Sequence, residues 1–184
     1  MELDKAIKSR KSVRKFSSRK PDWRDIIECI DSMRYAPMAG DNFTLKFILI
    51  DDKETIKKIS ESSQQYFISE AHYVVVICSV PSRTITLFGK KGEIYSRQQA
   101  GAAIQNFLLK IEEKKLATCW IGHFVEEQIK RELRVPDNSK IEAIFPMGYE
   151  FKKQKMSKKI SLDNVLYFKR YGNKRMKDSN FQEV

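Results

Sequence analysis

The stretch Tyr73-Val74-Val75-Val76-Ile77-Cys78 decides the architecture of this chain. Its residues are apolar, mostly β-branched, and do not alternate with polar ones, which is the pattern of a strand buried on both faces. Such a strand needs other elements packed on each side of its sheet. The stretch is also far shorter than the roughly 20 apolar residues that cross a bilayer. We therefore predict the central strand of a globular domain that does not enter a membrane.

Helical and extended patterns intermix on both sides of this strand. Apolar residues recur at helical spacing in some segments, and short buried runs bounded by turn residues indicate strands in others. Such an order is typical of an α/β or α+β layered domain and leaves the topology open. We predict helices at 2–9, 21–35, from 52 onward, at 94–115 and at 125–133, and strands at 47–50, 73–78, 116–121 and 141–147.

The composition predicts one folded domain. The chain has 184 residues and a mass of 21.6 kDa, with 41% hydrophobic and 32% charged residues, which lies well within the globular range. We place this domain at residues 1–170. The segment 171–184 is polar, and we expect it to form a C-terminal tail.

The cysteines and the N-terminus predict a cytoplasmic protein without a metal. Cys29, Cys78 and Cys119 are odd in number and each lies among apolar neighbours, as reduced core thiols do. His72 and His123 lie far apart, so no zinc-ligand spacing is present. The charged start of the chain lacks the apolar region of a signal peptide.

The net positive charge is compatible with an anionic partner but does not require one. Lys and Arg number 35 against 24 Asp and Glu, which gives a net charge of +11. Much of the excess lies in residues 5–20 and 152–177. Nucleic acid, an anionic cofactor or merely a Lys-rich proteome would each account for it, and charge alone does not choose among them.

A basic run near the start is the first candidate site. The chain has no G-x-G-x-x-G, no G-x-x-x-x-G-K-[ST] and no G-x-S-x-G, which removes the usual signatures of a dinucleotide fold, a P-loop and a hydrolase. The run Arg10-Lys11-Ser12-Val13-Arg14 has no helical period, so we predict an extended loop. Its two guanidinium groups, ammonium and hydroxyl suit a phosphate dianion, although a solvated charge run is the simpler interpretation.

Two further segments suit a flat polar ligand. Residues 36–42 have turn chemistry and carry short amide and carboxylate groups that could hydrogen-bond the polar edge of a ring. Gly122 follows a predicted strand, where the lack of a side chain allows close backbone approach to a ligand. In isolation, an ordinary turn and a packed strand end are the simpler interpretations of these two segments.

Five segments, taken in order, resemble the FMN-dependent nitroreductase family over about residues 5–170. They are 6–16 (AIKSRKSVRKF), 35–37 (YAP), 101–109 (GAAIQNFLL), 118–122 (TCWIG) and 147–149 (MGY). The resemblance implies a nitroreductase-like α+β fold, with a central mixed β-sheet flanked by helices. It also implies a homodimer with FMN at the subunit interface.

The activity implied by the resemblance is an FMN-dependent oxidoreductase. NAD(P)H would deliver a hydride, and an electron-poor small molecule such as a nitroaromatic or a quinone would accept electrons. The chemistry would take place at flavin N5, so no side chain is expected to be catalytic. Flavin cleavage or reductive dehalogenation on the same fold is one alternative, and a non-enzymatic basic module that binds nucleic acid is another, which the resemblance disfavours.

The resemblance also assigns the phosphate contacts. Arg10 and Ser12 match the residues that hold the FMN phosphate and ribityl chain, and Lys11 stands beside them where the family usually has Arg. Lys158 or Lys159 matches a late basic residue that joins the phosphate.

The contacts to the flavin ring come from two other segments. The family usually has Ala-Pro-Ser-x-x-Asn-x-Gln in the second motif, and this puts Asp41 at the Asn, with Asn42 one position later. Either residue would bond the pyrimidine edge of the flavin. Segment Trp120-Ile121-Gly122-His123 matches the residues beside flavin N5 and O4, where backbone N–H groups supply the contacts.

Overall fold

The computed structural model describes residues 1–153 and 158–176, in which helices and strands intermix as the sequence predicts. Short 3₁₀ turns lie at Ser32–Tyr35, Ala39–Asp41 and Tyr66–Glu70. In chain order the elements are α1 (Leu3–Ser9), α2 (Trp23–Asp31), β1 (Leu45–Ile50), α3 (Lys53–Ser62), β2 (Tyr73–Ser79), α4 (Ser82–Phe88), α5 (Lys90–Glu113), β3 (Ala117–Thr118), α6 (Glu126–Leu133), β4 (Lys140–Gly148) and α7 (Leu162–Val165).

The strands form one sheet in the order β1-β2-β4-β3, and the α+β class is confirmed. Every pairing among the described strands is antiparallel, so the mixed sheet expected from the family resemblance is not found there. The reason lies in the connections. Ile50 at the end of β1 lies opposite Val74 at the start of β2, so the α3 connection leaves and re-enters at the same end of the sheet.

Both faces of β2 are buried, as its sequence predicts. Tyr73, Val75 and Ile77 pack on one face against the helices α2 and α5. Val74, Val76 and Cys78 pack on the other, in a cluster that includes residues of α3 and α6. Each face of the sheet therefore carries a layer of hydrophobic core, formed by alternate side chains of the strands and the apolar sides of the helices.

The long helix α5 crosses the first of these layers. Ala100, Ala103, Ile104 and Phe107 are at most 2% exposed, and the Phe107 ring packs edge-on against Phe145 of β4 at 5.3 Å. The helix begins four residues before the predicted position. Gly89 separates it from α4 with a φ of 57°, a conformation that favours glycine.

The basic run is extended, as predicted, because Val13 and Phe16 anchor it in the core. Val13 is 3% exposed and Phe16 is 7% exposed, whereas Arg14 between them faces solvent. Phe16 also pairs as an isolated bridge with Glu150, just beyond β4.

The chain divides into two units, Met1–Gln154 and Lys155–Val184. The first contains the sheet and α1 to α6. In the second unit the structure describes residues 158–176, which contain the helix α7. The predicted domain boundary after residue 170 stays a prediction. Across the part of the chain that the structure describes, no helix is both long and apolar enough to cross a membrane.

Candidate functional site

The first and fourth of the five segments meet beside β3. The backbone N–H of Val13 donates a hydrogen bond of 2.8 Å to the carbonyl oxygen of Thr118. Thr118 is held in turn by its hydroxyl, which donates to the carbonyl oxygen of Pro146 at 2.8 Å. The basic loop therefore lies along the edge of the sheet, next to the strand that leads to Gly122.

The loop carries charge and hydroxyl groups that the fold does not use. Within the described residues, the side chains of Arg10, Ser12 and Arg14 make no hydrogen bond or ion pair. Lys11 differs, because its ammonium lies 2.8 Å from the Glu150 carboxylate and both side chains are largely buried. Arg10 and Ser12 are thus more available to an anion than Lys11 is.

The segment from Trp120 to His123 offers backbone donors. Ile121 is buried and exchanges two hydrogen bonds of 3.0 Å with Ile144, which fixes the strand edge. The next two N–H groups, those of Gly122 and His123, donate to no residue that the structure describes. A Cβ on Gly122 would meet nothing closer than Trp120 Nε1 at 4.0 Å, so the backbone here is open.

Trp120 forms one wall beside this open backbone. Its side chain is 43% exposed, and its ring packs on Phe145 with the centroids 5.8 Å apart. The indole ring therefore packs on Phe145 while much of it is exposed to solvent. The side chain of His123 is exposed and has no partner within the described residues.

The second segment forms a tight turn before β1. Gly40 (φ 59°) and Asp41 (φ 50°) both adopt the left-handed conformation, which Gly and Asp tolerate better than most residues. The Asp41 carboxylate is exposed and unpaired within the described chain. Asn42, in contrast, donates its amide N–H to the Thr84 hydroxyl on α4 at 2.6 Å.

A buried polar network holds this turn in place. The Gln99 carbonyl oxygen accepts hydrogen bonds from the Thr44 backbone N–H at 2.8 Å and from its hydroxyl at 2.7 Å. The Gln99 amide donates to the Asn42 carbonyl oxygen at 3.3 Å, and Ser96 lies 2.9 Å from the Thr44 hydroxyl. Buried polar groups need such partners, so the network ties the turn to α4 and α5.

The turn and the basic loop occupy opposite corners of the sheet. Leu45, just after the turn, lies opposite Ser79, whereas Thr118 and Tyr73 both lie opposite Met147. From Leu45 to Thr118 the path runs six residues along β2 and three strand spacings across the sheet. The distance between the two corners is therefore about 25 Å. The structure therefore brings the first and fourth segments together, but not the second.

The remaining predicted residues lie in the second unit. Lys158 and Lys159 are both exposed there. Their predicted contact with a phosphate stays a prediction.

The family model named Nitroreductase family matches residues 7–72 and 60–149, which together cover most of the chain. The chain belongs to the nitroreductase family. The match spans the basic loop, the turn and the Trp120–His123 segment, so all three candidate regions of this nitroreductase-family chain lie inside it.

Relatives and solved structures agree with this assignment. A protein of Archaeoglobus fulgidus, provisionally named NADH dehydrogenase/NAD(P)H nitroreductase, is 27% identical over 150 residues, covering 79% of this chain and 83% of that protein. An iodotyrosine deiodinase of Thermotoga neapolitana is 24% identical over 168 residues, covering 77% of this chain and 85% of that protein.

The solved structures share the fold. A nitroreductase family protein of Clostridium novyi NT has a TM-score of 0.75 and 27% identity, covering 94% of this chain and 96% of that one. The NADPH:FMN oxidoreductase of Vibrio harveyi, solved with NAD⁺, has a TM-score of 0.81 and 18% identity, covering 92% of this chain and 77% of that one.

The polar residues around the turn were not predicted from the sequence. Thr44, Thr84, Ser96 and Gln99 are polar yet at most 4% exposed. Ser96 and Gln99 share one face of α5 with the apolar Ala103. A polar pair on an otherwise apolar face was the sequence signal that could have predicted a buried polar network. Residues 81–93, for which the sequence predicted no element, form α4 and the first turn of α5.

Proposed function

We propose that this nitroreductase-family chain binds FMN and transfers electrons from NAD(P)H to a small electron-poor acceptor such as a nitroaromatic or a quinone. The observation that carries the proposal is the junction beside β3. There, the unpaired side chains of Arg10 and Ser12 lie on a loop bonded to the strand that leads to the open N–H groups of Gly122 and His123. A phosphate and a polar ring edge are the two groups that such donors suit.

The residues present fit FMN in three respects. Arg10 and Ser12 supply an unpaired guanidinium and hydroxyl for the phosphate. Gly122 leaves its backbone open to a flat ring, and Trp120 is half-exposed beside it. When bound, FMN would supply the uptake of a hydride and its transfer to the acceptor, so the protein's task is to bind, orient and shield the ring.

The geometry of the turn supports a site shared by two copies of the chain. Ile121 lies opposite Ile144, which in turn lies opposite Val76 of β2. Counted along β2 and across the strands, Ile121 is about 17 Å from Leu45. Flavin N5 and the pyrimidine edge belong to one ring system, so a separation of this size favours two copies of the chain as the source of the two contacts. A homodimer in which each copy lends its turn to the other's flavin satisfies both contacts.

Within that arrangement, Asp41 is the better candidate for the pyrimidine edge. Asn42 already donates its amide N–H to Thr84, whereas the Asp41 carboxylate is exposed and unpaired in the described chain. A carboxylate accepts a hydrogen bond from a ring N–H but donates none.

Purification and mass measurement test the proposal. We expect yellow protein that releases FMN rather than FAD on denaturation, and a dimer by light scattering. Colourless protein that takes up no added FMN would overturn the FMN site. A monomer that binds FMN at full occupancy would overturn the shared site alone.

Reductive dehalogenation is the second candidate, favoured by the iodotyrosine deiodinase among the relatives. In that reaction two electrons and a proton replace a carbon–halogen bond with a carbon–hydrogen bond, and the halide leaves. An acceptor screen with the reduced flavoprotein separates the candidates. Halide release from an iodophenol without nitro-group reduction would favour dehalogenation, and the reverse would favour the first proposal.

A further inference from the structure

The loop that carries the basic run pairs with the chain just beyond β4. The Ser17 N–H donates a hydrogen bond of 2.8 Å to the Tyr149 carbonyl oxygen, and the Phe151 N–H donates one of 3.1 Å to the Lys15 carbonyl oxygen. These bonds flank the bridge made by Phe16. In such an antiparallel pair, opposite residues point to the same face and successive residues alternate. Because Phe16 points into the core, the other four side chains lie on the opposite face of the pair.

Two contacts between a cation and an aromatic ring follow one another along this face. The Lys15 ammonium lies 4.7 Å from the centre of the Phe151 ring. The Arg19 guanidinium lies 4.4 Å from the centre of the Tyr149 ring. Tyr149 and Phe151 are two residues apart in an extended segment, so the two contacts repeat at about 7 Å. The Phe151 side chain is still 59% exposed, so its ring offers surface to a further partner.

Two more lysines extend this surface. Lys15, Phe151, Lys152 and Lys153 line one cleft of about 250 Å³. We call these four residues, together with Arg19, the Phe151 strip, and all of them are exposed. A ligand that enters the cleft therefore meets an aromatic ring and several ammonium groups at once.

The charge of the Phe151 strip is not neutralised. Its cations make no ion pair within the residues that the structure describes. Glu150, which stands between the two aromatic residues, points to the other face of the pair, where its carboxylate lies 2.8 Å from the Lys11 ammonium. The strip is therefore a positive surface that contains an exposed ring.

We propose that the Phe151 strip binds single-stranded nucleic acid. Proteins that bind single strands combine cations that follow the phosphates with aromatic rings on which bases stack. Phe151 stacks on a base, the lysines of the cleft contact the phosphates beside it, and Arg19 contacts a phosphate one step further along. A duplex hides the faces of its bases, and an anionic membrane needs a larger apolar face than this one ring. No residue of the strip belongs to the proposed FMN site, so the inference goes beyond the proposed function.

A pair of matched oligomers tests the proposal. Fluorescence anisotropy measures the affinity of the protein, as purified, for a dye-labelled oligothymidylate of about 12 nucleotides. The matched ligand is an oligomer of abasic units of the same length, which has the same phosphates without the bases. We expect the oligothymidylate to bind about fivefold more tightly at low salt, because a stacked base adds to the phosphate contacts.

Substitution of the ring gives the second readout. Phe151→Ala should remove the preference for the oligothymidylate and leave the affinity for the abasic oligomer unchanged. Tyr66→Ala removes a ring that is 77% exposed on the turn before β2, and this variant should keep the preference. Because both rings are exposed, the thermal midpoints of the two variants should match that of the parent.

The dependence of affinity on salt counts the phosphate contacts. Each cation that contacts a phosphate of a single strand contributes about 0.7 to the slope of log affinity against log salt. The variant K152A/K153A should therefore reduce the steepness of this slope by about 1.4. The variant K53A/K57A removes two exposed lysines of α3 and should leave the slope unchanged.

Other results would overturn the proposal. One is equal affinity for the two oligomers with no effect of Phe151→Ala, since the strip would then attract any polyanion. Another is an equal slope for K152A/K153A and K53A/K57A. Binding to phosphatidylserine vesicles without binding to either oligomer would assign the strip to a membrane instead. An oligouridylate is measured alongside, and tighter binding of it or of the oligothymidylate supports the proposal and identifies the partner as RNA or DNA.

Discussion

The backbone N–H of Val13 donates a hydrogen bond of 2.8 Å to the carbonyl oxygen of Thr118. This bond joins the basic loop at the start of the chain to the strand that leads to Gly122. Because Val13 is buried and Thr118 is held by Pro146, the loop has little freedom to move away from the strand. The unpaired side chains of Arg10 and Ser12 are thereby kept beside the sheet edge.

Arg10→Ala should weaken FMN binding by about tenfold to a hundredfold, because a charge-assisted hydrogen bond contributes about 1.5–3 kcal/mol. Lys11→Ala should weaken it less, since the Lys11 ammonium lies 2.8 Å from Glu150. Quenching of flavin fluorescence on titration measures both. Arg131→Ala, an exposed arginine of α6, is the control that should bind as the parent does. If Lys11→Ala lost more affinity than Arg10→Ala, the phosphate contact would be misassigned.

Gln99→Ala should lower the free energy of unfolding by about 1–3 kcal/mol, because it leaves the buried N–H of Thr44 without its acceptor. Urea denaturation of the apoprotein measures the loss. Gln98→Ala removes the same side chain from the adjacent, exposed position and should change stability little. Equal losses for the two variants would contradict the network.

Gly92→Ala should destabilise the fold by about 1–3 kcal/mol, because a Cβ there would collide with the Thr84 carbonyl oxygen and lie 2.6 Å from the Ile85 Cα. Gly101→Ala makes the same change where nothing lies within 4 Å, so helix propensity should make it neutral or stabilising by up to about 1 kcal/mol in the monomer. Thermal unfolding at low protein concentration compares them. A Gly92→Ala protein as stable as the parent would show that α4 and α5 are not packed as described.

Cys29 and Cys78 should resist alkylation in the native protein. Burial raises the pKa of Cys29 from 9.0 to about 12 and that of Cys78 to about 11, so the reactive thiolate is scarce. Iodoacetamide labelling at about pH 8, followed by mass spectrometry, should modify these two only after denaturation. Rapid labelling of either in the folded protein would contradict its burial.

The same shifts give stability a pH dependence. The unfolded chain loses its thiol protons above the ordinary pKa of 9.0, while the folded chain keeps them until about 11 or 12. This contribution to the free energy of unfolding is therefore complete below about pH 9 and falls as the pH rises toward 11. Urea denaturation across this window measures it, and Cys29→Ala should show a shallower decline than the parent.

The amino-acid sequence predicted the elements whose burial is local and periodic. The uninterrupted run Tyr73–Cys78 predicted a strand covered on both faces, and the helical spacing of Ala100, Ala103 and Phe107 predicted the central helix. The ordered motifs predicted the family, which the family model confirms. They also predicted that Arg10, Ser12 and the segment at Gly122 bind one cofactor, which stays a prediction, and the fold joins the loop that carries Arg10 and Ser12 to the strand that leads to Gly122.

Only the tertiary structure decided which polar groups remain free. Arg10 and Lys11 were both candidates for the phosphate, but Lys11 is paired with Glu150, so Arg10 is the more available of the two. Asp41 and Asn42 were both candidates for the flavin ring, but Asn42 is hydrogen-bonded to Thr84, so Asp41 is the more available. Strand direction, the distance between the turn and the basic loop, and the Phe151 strip were likewise outside the sequence patterns. Periodicity reports which side of an element is buried, whereas pairing and direction depend on residues distant in the chain, whose meeting is set by the packing of the whole domain.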